Sequence, residues 1–279
     1  MNKLKFSVLI CVYEFDNPLF FKQAFSSILD QNITPSEIIL VIDGPISKQI
    51  EDIVNHFISI EDRLVVIKLK KNVGHGKAKN IGLDRCSYDL VAIMDSDDIC
   101  VKDRFEKQLL YFRDNPLTSI LGGVISEFKD DVNLSYGKRV LPESHLEISS
   151  YLKNRCPMNH MTVMFRKSEV VKAGGYLDWH YNEDYYLWIR MYLSGSIFAN
   201  LNEPLVECRL DNELLDRRKD FKGVVSTFTN KVRIVHKLKF GLIGYLFAIF
   251  RLIIMLSPKS ILMKSYLLRN KIWKMIKRK

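Results

Sequence analysis

Three carboxylates stand within five residues at Met94-Asp95-Ser96-Asp97-Asp98, directly after the apolar run Leu90–Met94. Alternate residues of an extended segment point the same way, so Asp95 and Asp97 are expected on one side. Neither can be buried as an anion without a cation or several hydrogen-bond donors. Oxygen ligands of this kind suit Mg²⁺ or Mn²⁺, and Mg²⁺ typically takes one or two carboxylates together with substrate phosphates. The same acids suit a turn that caps a following helix, since Asp is a favoured N-cap. Tyr13-Glu14 follows an earlier apolar run and Asp43-Gly44 another. Each alone reads as turn chemistry. Polar or stacking groups at three strand ends together fit a nucleotide lying across one edge of a sheet, outside the carboxyl ends of its strands.

The elements that would position these groups alternate along the chain. Phe6 to Val12, Glu37 to Ile42, Leu64 to Lys68 and Leu90 to Met94 have strand length and composition. Pro18 to Asp30, Ser47 to Phe57 and Gly76 to Arg85 have helical spacing between them. Strands apolar on both faces and separated by helices imply an α/β fold with a mostly parallel central sheet flanked by helices. Beyond a helix at Asp103 to Asn115 the pieces shorten. Strands are expected at Ile120 to Phe128 and Thr162 to Arg166, and helices at Leu146 to Asn154, Ser168 to Ala173 and Asp184 to Ser194. The simplest organisation is one domain over residues 1–220 and a basic, helical tail over 221–279.

The charge supports that division. The 279 residues carry 42 Lys or Arg against 32 Asp or Glu, a net +10. Residues 221–279 hold 14 of those cations and no acid, which leaves 28 cations against the 32 acids before them, a net −4. A cationic tail on a mildly acidic body points to a membrane surface or a polyanion as the tail's partner. Pro258 divides the tail. Phe240 to Leu256 is strongly apolar, and Ile261 to Lys279 gathers Lys264, Lys271, Lys274, Lys277 and Arg278 on one arc of a helical wheel. Such a helix can lie in the membrane interface, or pack back on its own domain. No uncharged apolar run approaches the roughly 20 residues that span a bilayer. The five cysteines have no metal-ligand spacing and read as buried thiols of a reducing compartment. The apolar run after Lys3 and Lys5 is too short for a signal peptide and is soon followed by Glu14 and Asp16, so it reads as a first strand of a cytoplasmic protein.

Five stretches, SVLICVYE at 7–14, EIILVIDG at 37–44, NVGHGKAKNIGL at 72–83, VAIMDSDD at 91–98 and NEDYYLWIRM at 182–191, resemble the bacterial family 2 glycosyltransferases of GT-A fold. Their order covers about 190 residues. The tail segments Arg217-Arg218 and LSPKSILMKSYLLR resemble the subgroup that builds O-antigen, capsule and exopolysaccharide. The resemblance implies that Tyr13 and Glu14 line the nucleoside pocket and that Asp43 accepts a hydrogen bond from the base. It also implies that Asp95 contacts the ribose or sugar and that Asp97, with Asp95 beside it, holds the Mg²⁺ or Mn²⁺ bridging the donor's diphosphate. Asn72 and Lys79 fall in the family's N-x-G-x-x-x-A-R-N-x-G pattern, with Lys79 where Arg is usual. A point-charge Lys cannot make the bidentate contact of Arg, and an ordinary solvated helix Lys fits the position equally.

In the same resemblance Asp184 is the base that takes the acceptor hydroxyl's proton, and Glu183 positions it or binds acceptor. An acidic pair favoured by a helix N-terminus is the alternative. Arg217, Arg218 or Arg209 would clamp the diphosphate, against a solvated basic turn. His160 would reach acceptor or metal, against a structural role, and Trp179 and Trp188 would stack on a sugar, with Trp188 better placed as core. The implied activity is inverting transfer from a UDP-sugar to an undecaprenyl-diphosphate-linked glycan at the inner membrane. A sugar-nucleotide nucleotidyltransferase would need a Gly-rich, basic triphosphate loop after the first strand, where Tyr13-Glu14-Phe15-Asp16 stands. A basic nucleic-acid-binding protein would need interleaved aromatic and basic residues that the tail lacks.

Overall fold

The structure is a computed structural model that describes residues 4–129, 131–153, 155–177, 182–210, 221–238 and 241–257. Strands β1 (Phe6–Val12), β2 (Glu37–Ile42), β3 (Leu64–Lys68) and β4 (Leu90–Met94) lie parallel in the order β3-β2-β1-β4. Helices α1 (Pro18–Leu29), α2 (Lys48–Ile60) and α3 (His75–Arg85) connect them. The parallel register follows from these crossovers, since parallel neighbours need a connection of a dozen or more residues. Asn17 caps α1, accepting from the backbone N–H of Leu19 and Phe20, and Pro18 opens the helix where its missing N–H costs nothing.

Val8, Ile10, Val12, Leu40, Ile42 and Met94 form one core with Phe21, Phe25 and Ile28 of α1 and Ile50, Val54 and Phe57 of α2. On α3, a Cβ at Gly82 would collide with the side chains of Leu9 and Val41, so glycine lets this helix lie directly on the sheet. Val12 pairs with Ile42 and Ile10 with Met94. The residues that follow these strands, Tyr13, Asp43 and Asp95, therefore leave the sheet along one edge.

The expected mostly parallel sheet is corrected here. Beyond β4 the sheet is mixed, in the order β4-β8-β6-β9-β5 with β7 on β6. Its strands are β5 (Ile99–Cys100), β6 (Ile120–Phe128), β7 (Ser135–Arg139), β8 (Met164–Arg166) and β9 (Phe198–Arg209). Only β6 and β9 pair parallel in this half. The short link between β6 and β7 forces an antiparallel hairpin, and β8 enters antiparallel between β4 and β6. Helices α4 (Arg104–Asp114), α5 (His145–Leu152), α6 (Lys167–Lys172) and α7 (Glu183–Leu193) complete this part. Sequence pattern misses β9, whose polar centre at Asn200 to Glu203 breaks the apolar run, and β7, which is exposed and polar.

The chain divides into two compact units, Met1–Asp178 with Glu183–Asp211 and Trp179–Asn182 with Asn212–Lys279. In the second, α8 (Phe221–Lys237) packs against α9 (Gly241–Leu256). The expected apolar helix is thus α9, whereas the basic segment at 261–279 lies outside the described residues. Among the described residues, no helix is long and apolar enough to cross a membrane. All five cysteines are free.

Candidate active site

The chain turns at Ser96 and Asp97 as soon as β4 ends, so the acidic segment is not extended and its carboxylates part company. Asp97 is exposed. Asp98 is buried, and its Oδ1 accepts the backbone N–H of Arg209 at 2.9 Å. Burial, with the charges of Asp97 and Asp95, pushes the Asp98 carboxyl well above the usual carboxylate range. Asp95 goes the other way. Burial would raise it, but the charge of Lys79 above all, with those of His75 and Arg104, outweighs that and keeps it below the usual carboxylate range. Its Oδ1 is buried and makes no hydrogen bond, with Lys79 Nζ at 3.7 Å and His160 Nδ1 at 3.8 Å.

Asp43 is buried and orders a loop: Oδ1 accepts from Val73 N at 2.7 Å and Oδ2 from Gly74 N at 3.1 Å. Asn72 Nδ2 donates to the Asp43 carbonyl at 3.3 Å, and Asn72 Oδ1 accepts from Gly74 N. Gly74 has φ of 90° and opens α3, a conformation that favours glycine. Asp43 and Asn72 thereby aim the first turn of α3 at the sheet edge. Tyr13 is half-buried, edge-on to Phe15 with ring centroids 5.9 Å apart, and Glu14 is exposed. Asp16 ties this loop to the acidic turn. It accepts from Tyr13 N at 3.0 Å and hydrogen-bonds Ser96, and burial raises its pKa to about 6.

On α3, His75 and Lys79 are one turn apart on one face. Lys79 is only 2 % exposed, which removes the solvated-lysine reading. Its Nζ lies 3.4 Å from both His75 Nδ1 and His160 Nδ1, and 5.9 Å from the centre of the Tyr176 ring. His160 opens a short 3₁₀ turn before β8, and its Nε2 is 3.1 Å from the Tyr176 hydroxyl. Burial and then the charge of Lys79 lower the His160 pKa to about 3, so this ring is neutral near pH 7. A neutral ring that accepts from Lys79 at Nδ1 and donates from Nε2 to Tyr176 satisfies both contacts. Asn80 fixes Tyr176 through two hydrogen bonds, from its Nδ2 to the Tyr176 carbonyl and from Tyr176 N to its Oδ1.

His75 also reaches α7. Its Nδ1 is 3.0 Å from Glu183 Oε1. One nitrogen cannot both donate to Glu183 and accept from Lys79, and the shorter contact makes Nδ1 the donor to the carboxylate. Burial would raise Glu183, but the hydrogen bond and charge of His75, with the charge of Lys79, bring it down to about 2. At Gly76 a Cβ would stand 3.2 Å from the Leu177 carbonyl and 3.7 Å from Glu183 Cβ, so glycine admits this close approach. Asp184 is the next residue of α7. Its Oδ1 accepts from Tyr185 N, and Cys156 Sγ lies 3.9 Å from Oδ2. Trp188, further along, is fully buried and belongs to the core.

Arg209 is neither a solvated turn nor free to swing. Its guanidinium lies between Phe20 and Phe128, 3.8 and 4.6 Å from their centroids, and donates to the Asp97 carbonyl and to Gln23 Oε1. It braces the acidic turn. Arg217, Arg218 and Trp179 lie outside the described residues. Sequence reasoning missed His75, Asp16, Tyr176 and Arg104. His75 could have been found, because it stands four residues before Lys79 and directly ahead of the helix expected over Gly76 to Arg85. Arg104 is fully buried under β4 and donates to the Ile93 carbonyl at 2.8 Å, a contact that no local pattern announces.

Among the described residues, no group of three or more His, Cys, Asp or Glu is arranged to hold a metal ion. The donor set that is present, the buried Oδ1 of ionised Asp95, which makes no hydrogen bond, with Asp97 at the surface beyond it, fits a hard cation that takes its remaining ligands from a diphosphate.

An α/β sheet with this acidic, nucleotide-type edge defines a GT-A-like domain. The model of glycosyl transferase family 2 matches residues 7–173, and the chain belongs to that family. It is 40% identical over 269 residues to an uncharacterized glycosyltransferase of Haemophilus influenzae, covering 94% of this chain and 98% of that one. It is 38% identical to the amylovoran biosynthesis glycosyltransferase AmsE of Erwinia amylovora, over 79% of this chain and 82% of the relative. It is 35% identical to the Escherichia coli UDP-Gal:alpha-D-GlcNAc-diphosphoundecaprenol beta-1,3-galactosyltransferase, over 80% of each. Among solved structures, S. aureus TarS 1-349 aligns with a TM-score of 0.62 at 20% identity, covering 89% of this chain and 72% of that one, a likeness of fold.

Proposed function

We propose that the chain is an inverting glycosyltransferase. It moves a sugar, such as galactose, glucose or N-acetylglucosamine, from a UDP-sugar to an undecaprenyl-diphosphate-linked glycan of a surface polysaccharide. One observation carries the reading: the His75–Glu183 contact joins residues 108 positions apart and brings the acidic start of α7 to the nucleotide edge of the sheet. A donor-binding edge and a candidate base then share one site. The E. coli relative, whose name specifies a diphosphoundecaprenol acceptor, supports the acceptor class, and TarS has been solved with UDP and with UDP-GlcNAc.

In this mechanism Tyr13 and Glu14 line the nucleoside pocket, Asp43 accepts from the base, and Asn72 holds the loop between them. Asp184 takes the proton of the acceptor hydroxyl as its oxygen attacks the anomeric carbon. The bond from that carbon to the diphosphate oxygen breaks with inversion, and UDP leaves. Asp97 and Asp95 would hold Mg²⁺ or Mn²⁺, which supplies electrostatic stabilisation to the departing diphosphate. The buried charge of Lys79 keeps Asp95 ionised. Arg217 and Arg218 would add cations to the diphosphate. The domain works at the cytoplasmic face of the inner membrane, held there peripherally by the cationic tail.

The test is a donor screen on the purified protein, measuring nucleotide release from a panel of sugar nucleotides with Mg²⁺ or Mn²⁺ and a GlcNAc-diphospholipid acceptor. Turnover is expected with a UDP-sugar. The reading fails if no donor is hydrolysed or transferred and none shifts the melting temperature.

A further inference from the structure

Helix α9 has two unlike faces. Gly244, Tyr245, Ala248, Leu252 and Met255 form one row, with Ala248 buried and the others half-buried, and α9 packs against α8. The other row is Leu242, Leu246, Ile249, Phe250, Ile253 and Leu256, at the i, i+4, i+7, i+8, i+11 and i+14 positions of one helical stripe. Each of these six is between 48 and 76 % exposed, and Phe247 at the margin is 60 % exposed. Soluble proteins rarely leave so many large apolar side chains contiguous in water without a partner for them.

We infer that this stripe is a lipid-contacting surface, and that α9 lies in the plane of an anionic membrane with its apolar row in the boundary between headgroups and acyl chains. The charge around it selects this occupant. Residues 221–279 carry 14 Lys or Arg and no acid, and in the sequence Lys237 and Lys239 precede the stripe, Lys259 follows it and Arg251 falls within its span. An apolar helix face set among cations matches an anionic headgroup layer above acyl chains. The described helix is too short to span a bilayer, since its 16 residues rise only about 24 Å. The inference deepens the membrane half of the proposed function. It moves the anchoring surface from the cationic end segment to α9, where cations provide attraction and the stripe provides depth.

The experiment is flotation of the full chain with phosphatidylcholine vesicles that contain or lack phosphatidylglycerol, for wild type, Leu246→Gln/Phe250→Gln and the milder Leu246→Ala/Phe250→Ala. The wild type should float with the anionic vesicles. Because each side chain contributes substantial apolar area, the Gln pair should weaken partitioning by at least about 30-fold and the Ala pair by less. In a Phe250→Trp variant, brominated acyl chains should quench the added fluorescence. Melting temperatures within a few degrees of wild type show that the exposed substitutions leave the fold intact. Unchanged flotation of both pairs, or no quenching, overturns the inference. So does a lipid-free dimer, seen by light scattering, that the Gln pair dissociates, because the stripe would then be a protein interface. UDP release to a short-chain, water-soluble acceptor is measured in parallel. Retained turnover with unaltered flotation sinks only the membrane inference, and absent turnover in every variant sinks the glycosyltransferase reading.

Discussion

The β3-β2-β1-β4 half of the sheet and the β8-β6-β9-β5 half are built from different sequence patterns, and they bring different groups to the site. The parallel half carries the strand-end residues Tyr13, Asp43 and Asp95. The mixed half and its helices carry His160, Tyr176, Glu183, Asp184 and Arg209. In the first, each group is fixed by the end of a buried strand. In the second, several are held by contacts back to the first: Asn80 pins Tyr176, His75 holds Glu183, and Arg209 braces the Asp97 turn. The difference teaches that the strand ends of one half are set by the sheet itself, whereas side chains of the other half are held by contacts that reach across to it.

That division can be broken most sharply at Asp184. Asp184→Asn should lower kcat by about 10²- to 10⁴-fold, the range of a lost general base, while donor affinity stays within about twofold. Stopped assays of product, with calorimetric donor binding, separate the two. Full activity would remove Asp184 as base. Next comes Lys79, where the halves share a buried charge. Lys79→Met leaves Asp95 without its nearest cation and should cost on the order of 3 kcal/mol in a denaturant titration, as breaking buried pairs does. Lys79→Arg should recover part of it. A stability loss near zero would mean that the charges of His75 and Arg104 suffice.

Asp97→Asn tests the donor half alone. It should reduce turnover by about 10²-fold and shift the Mg²⁺ or Mn²⁺ activation curve to higher concentration, with unchanged melting temperature because the side chain is exposed. The smallest effect is expected at His75→Ala. Half of the His75 side chain is exposed, so loss of its contact with Glu183 should cost only about 1 kcal/mol or less. The pH dependence has a defined sign. Glu183 has a depressed pKa, so its stabilisation is complete above about 4.5, the ordinary value, and is lost as pH falls toward 2. The wild-type advantage over His75→Ala should therefore shrink across that acid window, and a constant difference would disprove the assignment.

Much of the parallel half was legible in the sequence. The bounds of β1, β2, β3 and β4 coincide with their apolar runs, because β1, β2 and β4, covered on both faces, are apolar at nearly every position, and only the edge strand β3 is partly exposed. The strand-end positions of Asp43 and Asp95 were legible for the same reason. The acidic segment was misread as extended, since a turn at Ser96 and Asp97 needs no glycine or proline to mark it. The mixed half was less legible. The pairings of β5, β7 and β9 depend on long-range hydrogen bonds that leave short, polar or interrupted segments behind.

By itself the sequence determined the alternating α/β order, the family motifs, the acidic body with its cationic tail, and the residue types available for chemistry. Only the tertiary structure decided their states. Burial and neighbouring charge push the carboxyls of Asp95 and Asp98 in opposite directions, make His160 a neutral ring and enclose Lys79. Those outcomes depend on which groups from distant parts of the chain come within a few ångströms in a low-dielectric interior, where a charge feels its neighbours far more strongly than in water.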